Sequence, residues 1–192
     1  MGALGTLNKH AQTKILWVMR DDGEMTEPMN IMLLSALSKE NAPERTSYLG
    51  LLERDDITSM VRDIMPDIVA GSAITGSQTV YIETFRNLKR EFGRKIFTIL
   101  GGPYCTTYPG VVQDESCLDA IGVFECENAW VEFLNAFERC IDDIHEIPNI
   151  ITKENCESRL IRCGTSTEIS TSHYRDRYSD LDSLPYLDRE LI

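Results

Sequence analysis

The chain has little positive charge and no long hydrophobic run. Its 192 residues include 19 Lys and Arg against 31 Asp and Glu, which gives a formal net charge of −12 at pH 7. Nucleic acids and anionic membranes are bound through clustered Lys and Arg, so we expect neither as a partner. A membrane-spanning helix needs roughly 18 or more apolar residues in a row, and no segment approaches that length.

Paired cysteines are missing as well. The sequence contains six cysteines, none of which forms a Cys-x-x-Cys pair: Cys105, Cys117, Cys126, Cys140, Cys156 and Cys163. Their spacing matches no zinc or iron–sulfur motif, so we expect no metal site built from them. The amino-terminal residues lack the apolar core of a secretion signal, which predicts a cytoplasmic protein with free thiols.

Apolar runs that alternate with amphipathic segments indicate an α/β fold. Buried strands are predicted near residues 14–19, 46–52, 67–75, 95–100 and 118–124, with helices over 27–42, 55–66, 77–93 and 127–140. Strands that are apolar throughout are covered by helices on both faces of a sheet. The pattern predicts a doubly wound, mainly parallel, five-stranded Rossmann-like or flavodoxin-like sheet over residues 13–140.

Each predicted helix carries an apolar stripe that should face the sheet. The expected inward residues are Met29, Met32, Leu33, Ala36 and Leu37 in the first helix, Ile57, Met60, Val61 and Ile64 in the second, Tyr81, Phe85, Leu88 and Phe92 in the third, and Trp130, Phe133, Leu134 and Phe137 in the fourth. Outside this domain, residues 1–12 are expected to form a flexible leader. Residues 141–164 predict a β-hairpin with a polar turn at 154–155, and the polar residues 165–192 predict a linker.

The carboxyl ends of the strands are the expected ligand site, because doubly wound sheets bind ligands there. Gly101 and Gly102 would let a ligand lie against the backbone, and Ser72 and Thr75 offer hydroxyl groups. Fixed positive charge is scarce at these ends, so a large and mostly neutral ligand fits better than a polyphosphate. Glycines that simply end a strand would give the same pattern, and that interpretation stays open.

The order of several motifs resembles the cobalamin-binding N-terminal domain of B12-dependent radical S-adenosylmethionine (SAM) enzymes. The motifs are DIVAGSAITG, ILGGPYCTTYP and LDAIGVFECENAW, followed by IPNII and SDLDSLPYLDREL. The resemblance runs from about residue 14 to the end of the chain. It implies that the chain holds a corrinoid at the carboxyl edge of its sheet, and that the last segment leads toward a radical SAM barrel of the same parent chain.

The resemblance also implies a set of binding residues. Gly101, Gly102 and Pro103 would line the pocket of the cobalamin nucleotide tail, with Ser72, Ile74 and Thr75 beside it. Glu125, Cys126 and Glu127 occupy the turn after the fifth strand, where Cys126 replaces a glycine often found in the family. Arg20, Asp21 and Asp22 would border the lower face of the cobalt.

Two motifs of related proteins are missing. The loop after the first strand, RDDGEMTEP, has no Asp-x-His-x-x-Gly, so cobalamin would bind without a protein histidine ligand. The Cys-x-x-x-Cys-x-x-Cys motif is also missing, so the [4Fe-4S] cluster and SAM would belong to the barrel, which this chain lacks. We therefore expect no catalysis by this chain alone, whether it is a truncated piece or a free-standing domain. The parent reaction would be of the methyltransferase or tetrapyrrole-cyclase type.

Other functions are weighed against this one. A response-regulator receiver needs an Asp after the third strand and a Lys after the fifth, where Ser72 and Glu125 stand. A dinucleotide binder needs Gly-x-Gly-x-x-Gly after the first strand, which is missing. A thiol enzyme would use Cys105 or Cys126, neither of which has a basic neighbour in sequence. A degenerate domain that has lost the cofactor and serves as a docking module, or one that binds another tetrapyrrole such as haem, is the main alternative.

Overall fold

A computed structural model describes residues 12–21, 27–163, 166–170, 174–175 and 180–192. The strands are β1 (Lys14–Arg20), β2 (Thr46–Leu52), β3 (Ile68–Ser72), β4 (Phe97–Gly101), β5 (Ala120–Gly122), β6 (Ile150–Thr152), β7 (Leu160–Cys163) and β8 (Ser166–Ile169). The helices are α1 (Met29–Asn41), α2 (Ile57–Ile64), α3 (Gln78–Phe92), α4 (Pro103–Thr107), α5 (Val111–Asp114), α6 (Glu127–Arg139) and α7 (Cys156–Arg159). The predicted leader, apart from residue 12, lies outside the described residues.

The main sheet has the predicted doubly wound topology. Within the described residues its strand order is β2-β1-β3-β4-β5-β6, with the first five strands parallel. The prediction of five strands was one short, because β6 adds antiparallel to β5 with Ile151 opposite Ile121. The strand order reverses between β1 and β3, which is where ligands bind in folds of this kind.

Helices cover both faces of the sheet, and alternate strand residues point to each. On one face α2 and α3 pack against Leu16, Val18 and Leu100, and on the other α1 and α6 pack against Trp17 and Ile99. The predicted stripes of α2, α3 and α6 face the sheet as expected, with Met60, Ile64 and Phe92 only partly buried. No helix in the described part of the chain has both the length and the hydrophobicity needed to cross a bilayer.

The face that α1 buries differs from the prediction. Met29 is 61% exposed, whereas Ser35 and Ser38 are fully buried. Both serines have partners distant in sequence, since the Ser35 hydroxyl donates to Asp188 at 2.6 Å and the Ser38 hydroxyl accepts from the Trp130 indole at 2.8 Å. A buried hydroxyl is tolerated only with such a hydrogen bond, so tertiary partners override the apolar pattern here.

The carboxyl-terminal region also departs from the prediction. The expected hairpin over residues 141–164 does not form, because β6 joins the main sheet and β7 pairs with β8 instead. Strand β8 lies in the segment predicted to be a linker. The described end of that segment packs on α1, where the Asp188 N–H donates to the Met32 carbonyl at 3.2 Å and Leu191 is buried.

Candidate functional site

A cleft of about 480 Å³ opens at the carboxyl edge of the sheet, between the sheet, α1 and α6. Small-molecule sites in proteins usually measure about 300–1,000 Å³, so the cleft has the size of a ligand pocket. The carboxyl end of β3 and the amino-terminal turns of α4 and α6 form its rim.

The floor of the cleft consists of strand residues that shrink toward the carboxyl edge. On this face β4 presents Phe97, Ile99 and Gly101, β3 presents Ile68, Ala70 and Ser72, and β5 presents Ala120 and Gly122. Large side chains at the amino half fill the space below α1 and α6, whereas the small residues at the carboxyl half leave it open. The cleft therefore exists because the strand residues at this edge are small.

Gly101 and Gly102 have different reasons to be glycine. A Cβ on Gly101 would meet nothing closer than 3.8 Å, so a side chain there would enter the cleft. Gly102 has φ of +92°, and a Cβ on it would lie 2.6 Å from the Ala73 carbonyl oxygen. Its lack of a side chain is required by the backbone itself. Only Gly101 has the open position that the sequence prediction assigned to both.

The walls of the cleft are apolar and come from residues of the core. Trp17 and Trp130 are 2% and 3% exposed, with ring centroids 4.9 Å apart. Ile31 and Leu34 extend the wall along α1. The Trp17 indole donates to the Ser47 hydroxyl at 3.2 Å, and the Trp130 indole donates to Ser38. The only polar atoms of these four side chains therefore already have partners inside the protein.

Polar groups stand at the rim. The Asn30 amide donates to the Ser72 hydroxyl at 2.8 Å, which links the start of α1 to the end of β3. The Phe124 N–H donates to the Thr106 hydroxyl at 2.9 Å. These contacts fix the loops that follow β3, β4 and β5, so the mouth of the cleft is ordered by the chain's own hydrogen bonds.

Two thiols were candidates for nucleophilic chemistry, and their surroundings oppose it. Burial, with a smaller effect of the neighbouring Glu127 carboxylate, raises the pKa of Cys126 to about 12. Burial likewise raises the pKa of the Cys105 thiol, whose residue is fully buried. A thiol that stays protonated near neutral pH is a poor nucleophile, so the structure does not favour a thiol enzyme.

The predicted binding residues divide into three groups. Those that line the cleft are Ser72, Gly101, Gly102, Pro103, Glu125, Cys126 and Glu127. Those at the same edge but outside the lining are Ile74, Thr75, Arg20 and Asp21. Asp22 lies outside the described residues. Arg20 pairs with Glu53 at 2.9 Å and Asp21 with Arg54 at 3.5 Å, so both acidic and basic groups there are engaged on the protein surface.

Cys126, which replaces a glycine often found in the resembling family, lines the cleft beside the end of β5. A Cβ on Gly122 would lie 3.0 Å from the Cys126 sulfur, so the thiol occupies the space above a glycine of β5. The lack of a side chain at Gly122 thus leaves the space that the Cys126 side chain occupies.

Of the lining residues that the sequence did not predict, six lie in strands, and the others come from α1, α4, α6 and the loop before α6. Together they are Trp17, Asn30, Ile31, Leu34, Ala70, Gly71, Ile99, Thr106, Thr107, Gly122, Phe124, Trp130 and Ile150. Trp130 was predicted as core, and it is both core and wall. The available signal was the decrease in residue size along β3 and β4, which marks the end of each strand's packed part.

Histidine is not found at the cleft among the described residues. His145 lies beside Thr152, with its Nδ1 2.8 Å from the Thr152 hydroxyl. Thr152 pairs with Ala120 at the start of β5, so His145 stands at the opposite edge of the sheet. His10 and His173 lie outside the described residues.

Solved structures of other proteins share this architecture, whereas sequence comparison finds no relative. No family pattern and no curated protein matches the sequence. Among solved structures, the cobalamin-dependent SAM radical enzyme OxsB with aqua-cobalamin bound has a TM-score of 0.65 at 12% identity over 94% of this chain. Its apo form gives a TM-score of 0.62 over the same share. The radical SAM methyltransferase TsrM from Kitasatospora setae, with tryptophan and a SAM analogue, gives 0.60 at 12% identity over 83%.

The chain shares its fold with radical SAM enzymes. The predicted resemblance to B12-dependent members of that group is thus confirmed at the level of fold. The matching region makes up only 24% of OxsB and 30% of TsrM, so the chain spans about a quarter to a third of the length of these enzymes.

Proposed function

We propose that this chain is a cobalamin-binding domain whose cleft receives the nucleotide tail of the corrinoid. The observation that carries the proposal is the open floor at Gly101, where a Cβ would point into an apolar cleft at the strand switch point. A flat aromatic base would lie between the small strand residues of the floor and a wall that includes Trp17 and Trp130. The fold shared with an enzyme solved with aqua-cobalamin bound supports the same ligand.

The residues of the chain would hold the tail in distinct ways. Ala70 and Gly101 would form the floor, with the Cys126 thiol covering Gly122 beside them, and the apolar residues of α1 and α6 would exclude water from the base. At the rim, the Asn30 amide and the Ser72 hydroxyl would serve the polar part of the tail. When bound, cobalamin would supply cobalt-centred group-transfer or rearrangement chemistry.

The corrinoid would bind without a histidine from the described residues, because His145 stands at the opposite edge. Arg20 and Asp21 end β1 outside the cleft, so we propose that they border only the part of the corrinoid that projects from it. The same role is proposed for Asp22, Ile74 and Thr75.

The parent enzyme is a further part of the proposal. A radical SAM barrel of the same chain would cover the carboxyl edge and would hold the [4Fe-4S] cluster and SAM. Its reaction would be of the methyltransferase or tetrapyrrole-cyclase type, and this domain would hold the corrinoid without catalysis of its own.

A docking module that has lost the cofactor is the second candidate. The observation in its favour is a set of exposed apolar side chains at the same edge, with Ile74, Phe124 and Tyr108 at 62%, 48% and 43% exposure. Haem is less suitable than cobalamin, because haem iron takes a His, Cys, Met or Tyr ligand. Cys126 stands at the cleft, but its raised pKa opposes a thiolate ligand. The Tyr108 hydroxyl at the same edge donates to Asp114, and this hydrogen bond raises the pKa of Tyr108 and so opposes a phenolate ligand.

The experiment measures how much hydroxocobalamin the protein retains. The chain is incubated with the corrinoid and desalted, and the visible spectrum of the protein fraction is recorded. We expect the wild type to retain the corrinoid and Gly101→Leu to lose it, because the new side chain fills the cleft. Gly110→Leu is the matched control, since Gly110 has similar open space, with its nearest neighbour at 3.8 Å, and does not line the cleft.

Two results would contradict the proposal. Wild-type protein without colour would favour the docking module for this chain. Equal retention by Gly101→Leu would show that the tail does not enter the cleft, even if a corrinoid binds elsewhere. Folding of each variant is checked by circular dichroism, so that loss of colour is not confused with loss of structure.

A further inference from the structure

We infer that the cleft selects corrinoids by their lower base, and that it takes an apolar benzimidazole-type base in preference to a purine. The inference rests on the proposed function, since it concerns the group that enters the cleft. It follows from one property of the described lining residues: their buried part offers no hydrogen-bonding side-chain atom that is not already used.

The buried part of the lining is apolar throughout. Ile31 and Ile99 are 2% and 4% exposed, and Trp17 and Trp130 are similarly buried. The two indole N–H groups are the only polar side-chain atoms among these four residues. Both donate to serine hydroxyls behind the wall, at 3.2 Å and 2.8 Å, and so face away from a ligand.

Apart from the Cys126 thiol, which donates to the Val123 carbonyl at 3.5 Å, the polar side chains of the described lining lie at the rim. Asn30 and Glu125 are exposed, and Ser72 is half-buried. The Asn30 amide and the Ser72 hydroxyl are bonded to each other across the mouth. These groups lie where the sugar and phosphate of a nucleotide tail would leave the cleft, so they do not reach a base seated against Ala70 and Ile99.

The affinity for a lower base therefore depends on how many polar atoms the base brings into the cleft. A purine such as adenine carries an exocyclic amino group and several ring nitrogens, whereas dimethylbenzimidazole replaces most of that polar edge with carbon. Each buried donor or acceptor left without a partner costs about 1–3 kcal/mol. One such group is enough to weaken binding about tenfold, and the methyl groups of the benzimidazole would gain contacts with the apolar wall.

The test is a set of absorbance titrations of the 192-residue chain. The probes are hydroxocobalamin, its analogue with an adenine lower base, and cobinamide, which has no nucleotide. We expect hydroxocobalamin to bind at least about tenfold more tightly than the adenine analogue. Cobinamide should bind more weakly than hydroxocobalamin, because it leaves the cleft empty.

A variant tests whether the lining causes the selectivity. Leu34→Gln places an amide on the half-buried α1 wall of the cleft. It should reduce the ratio of the two affinities, that for hydroxocobalamin over that for the adenine analogue. Leu37→Gln is the matched control, since Leu37 is half-buried on the same helix but does not line the cleft, and the ratio should stay unchanged.

The outcomes separate the inference from the proposed function. Equal affinity for the two bases, with weaker binding of cobinamide, would overturn the selectivity and leave cobalamin binding intact. Equal affinity for hydroxocobalamin and cobinamide would overturn both the selectivity and the placement of the tail. No binding of any corrinoid would overturn the selectivity together with the proposed function.

Discussion

The two edges of the sheet carry cavities of opposite character. At the amino edge a cavity of about 610 Å³ is lined by charged residues that include Asp67, Lys89, Asp119 and Lys153. At the carboxyl edge the cleft is smaller, about 480 Å³, and its buried lining is apolar. The larger cavity is thus not the better ligand site, and the difference lies in the lining, which is charged and ion-paired at the amino edge and apolar at the carboxyl edge.

At the amino edge the charged groups stabilise the fold. The Asp119 carboxylate forms an ion pair with Lys89, and it accepts from the Thr98 N–H at 2.7 Å and the Thr98 hydroxyl at 3.0 Å. It thereby joins β4 to the end of α3 and to the residue before β5. The carboxyl edge has the reverse arrangement, since its strand residues are small where those of the amino edge are large. Partnered side chains of the protein fill the amino edge, whereas the carboxyl edge has an open cleft of ligand size.

Gly102→Ala should give the largest effect and sharpen the contrast between the two glycines of the carboxyl edge. A Cβ at Gly102 would combine an unfavourable backbone conformation with a contact at 2.6 Å to the Ala73 carbonyl, so we expect a loss of more than about 3 kcal/mol in the free energy of unfolding. Gly101→Ala should cost less than about 1 kcal/mol, because its Cβ would make only ordinary contacts. Urea denaturation compares them, and equal losses would disprove the distinction.

Asp119→Asn should break the amino edge without touching the carboxyl edge. It removes the charge that Lys89 and Thr98 bind, and hydrogen bonds to a charged group contribute about 1.5–3 kcal/mol. We expect a loss of about 2 kcal/mol in the free energy of unfolding, measured by urea denaturation. Retention of hydroxocobalamin by the folded variant should match the wild type. A change in retention would mean that the two edges are coupled.

Asp188 anchors the outer side of α1, the helix that forms one wall of the cleft. Burial raises the pKa of this carboxyl group, but hydrogen bonds from Lys39, Ser35 and the Glu190 backbone, together with the Lys39 charge, outweigh it. The folded-state pKa therefore lies below the ordinary value. A lowered pKa contributes stability above the unfolded value of about 3.9, and this stability is lost as pH falls through the folded pKa. We expect Asp188→Asn to cost about 1 kcal/mol at pH 7.

The pH dependence provides the check on that anchor. The difference in free energy of unfolding between wild type and Asp188→Asn should shrink as the pH is lowered below about 4, because the wild-type carboxyl then becomes protonated. A difference that stays constant from neutral to acid pH would show that the carboxylate charge does not hold the carboxyl-terminal segment on α1.

Sequence patterns predicted the order of the main elements and the stripes of α2, α3 and α6, because those stripes are set by local periodicity. They failed for α1, where Ser35 and Ser38 are buried by partners far along the chain. They also failed for β6, because a strand of three residues carries no signal for which neighbour it pairs with. At the site, Gly101 and Gly102 look alike in sequence, and only the backbone angle separates their roles.

The smallest expected effect is a difference in alkylation rate between the cysteines at the two ends of α6. Cys126 precedes the helix at the carboxyl edge, and Cys140 follows it and is exposed. Burial raises the pKa of Cys126 to about 12, so almost none of it is thiolate at pH 8. We expect iodoacetamide to alkylate Cys140 well before Cys126, as followed by peptide mass spectrometry. Equal rates would mean that the thiol at the cleft is reactive, and the thiol-enzyme hypothesis for the carboxyl edge would then regain support.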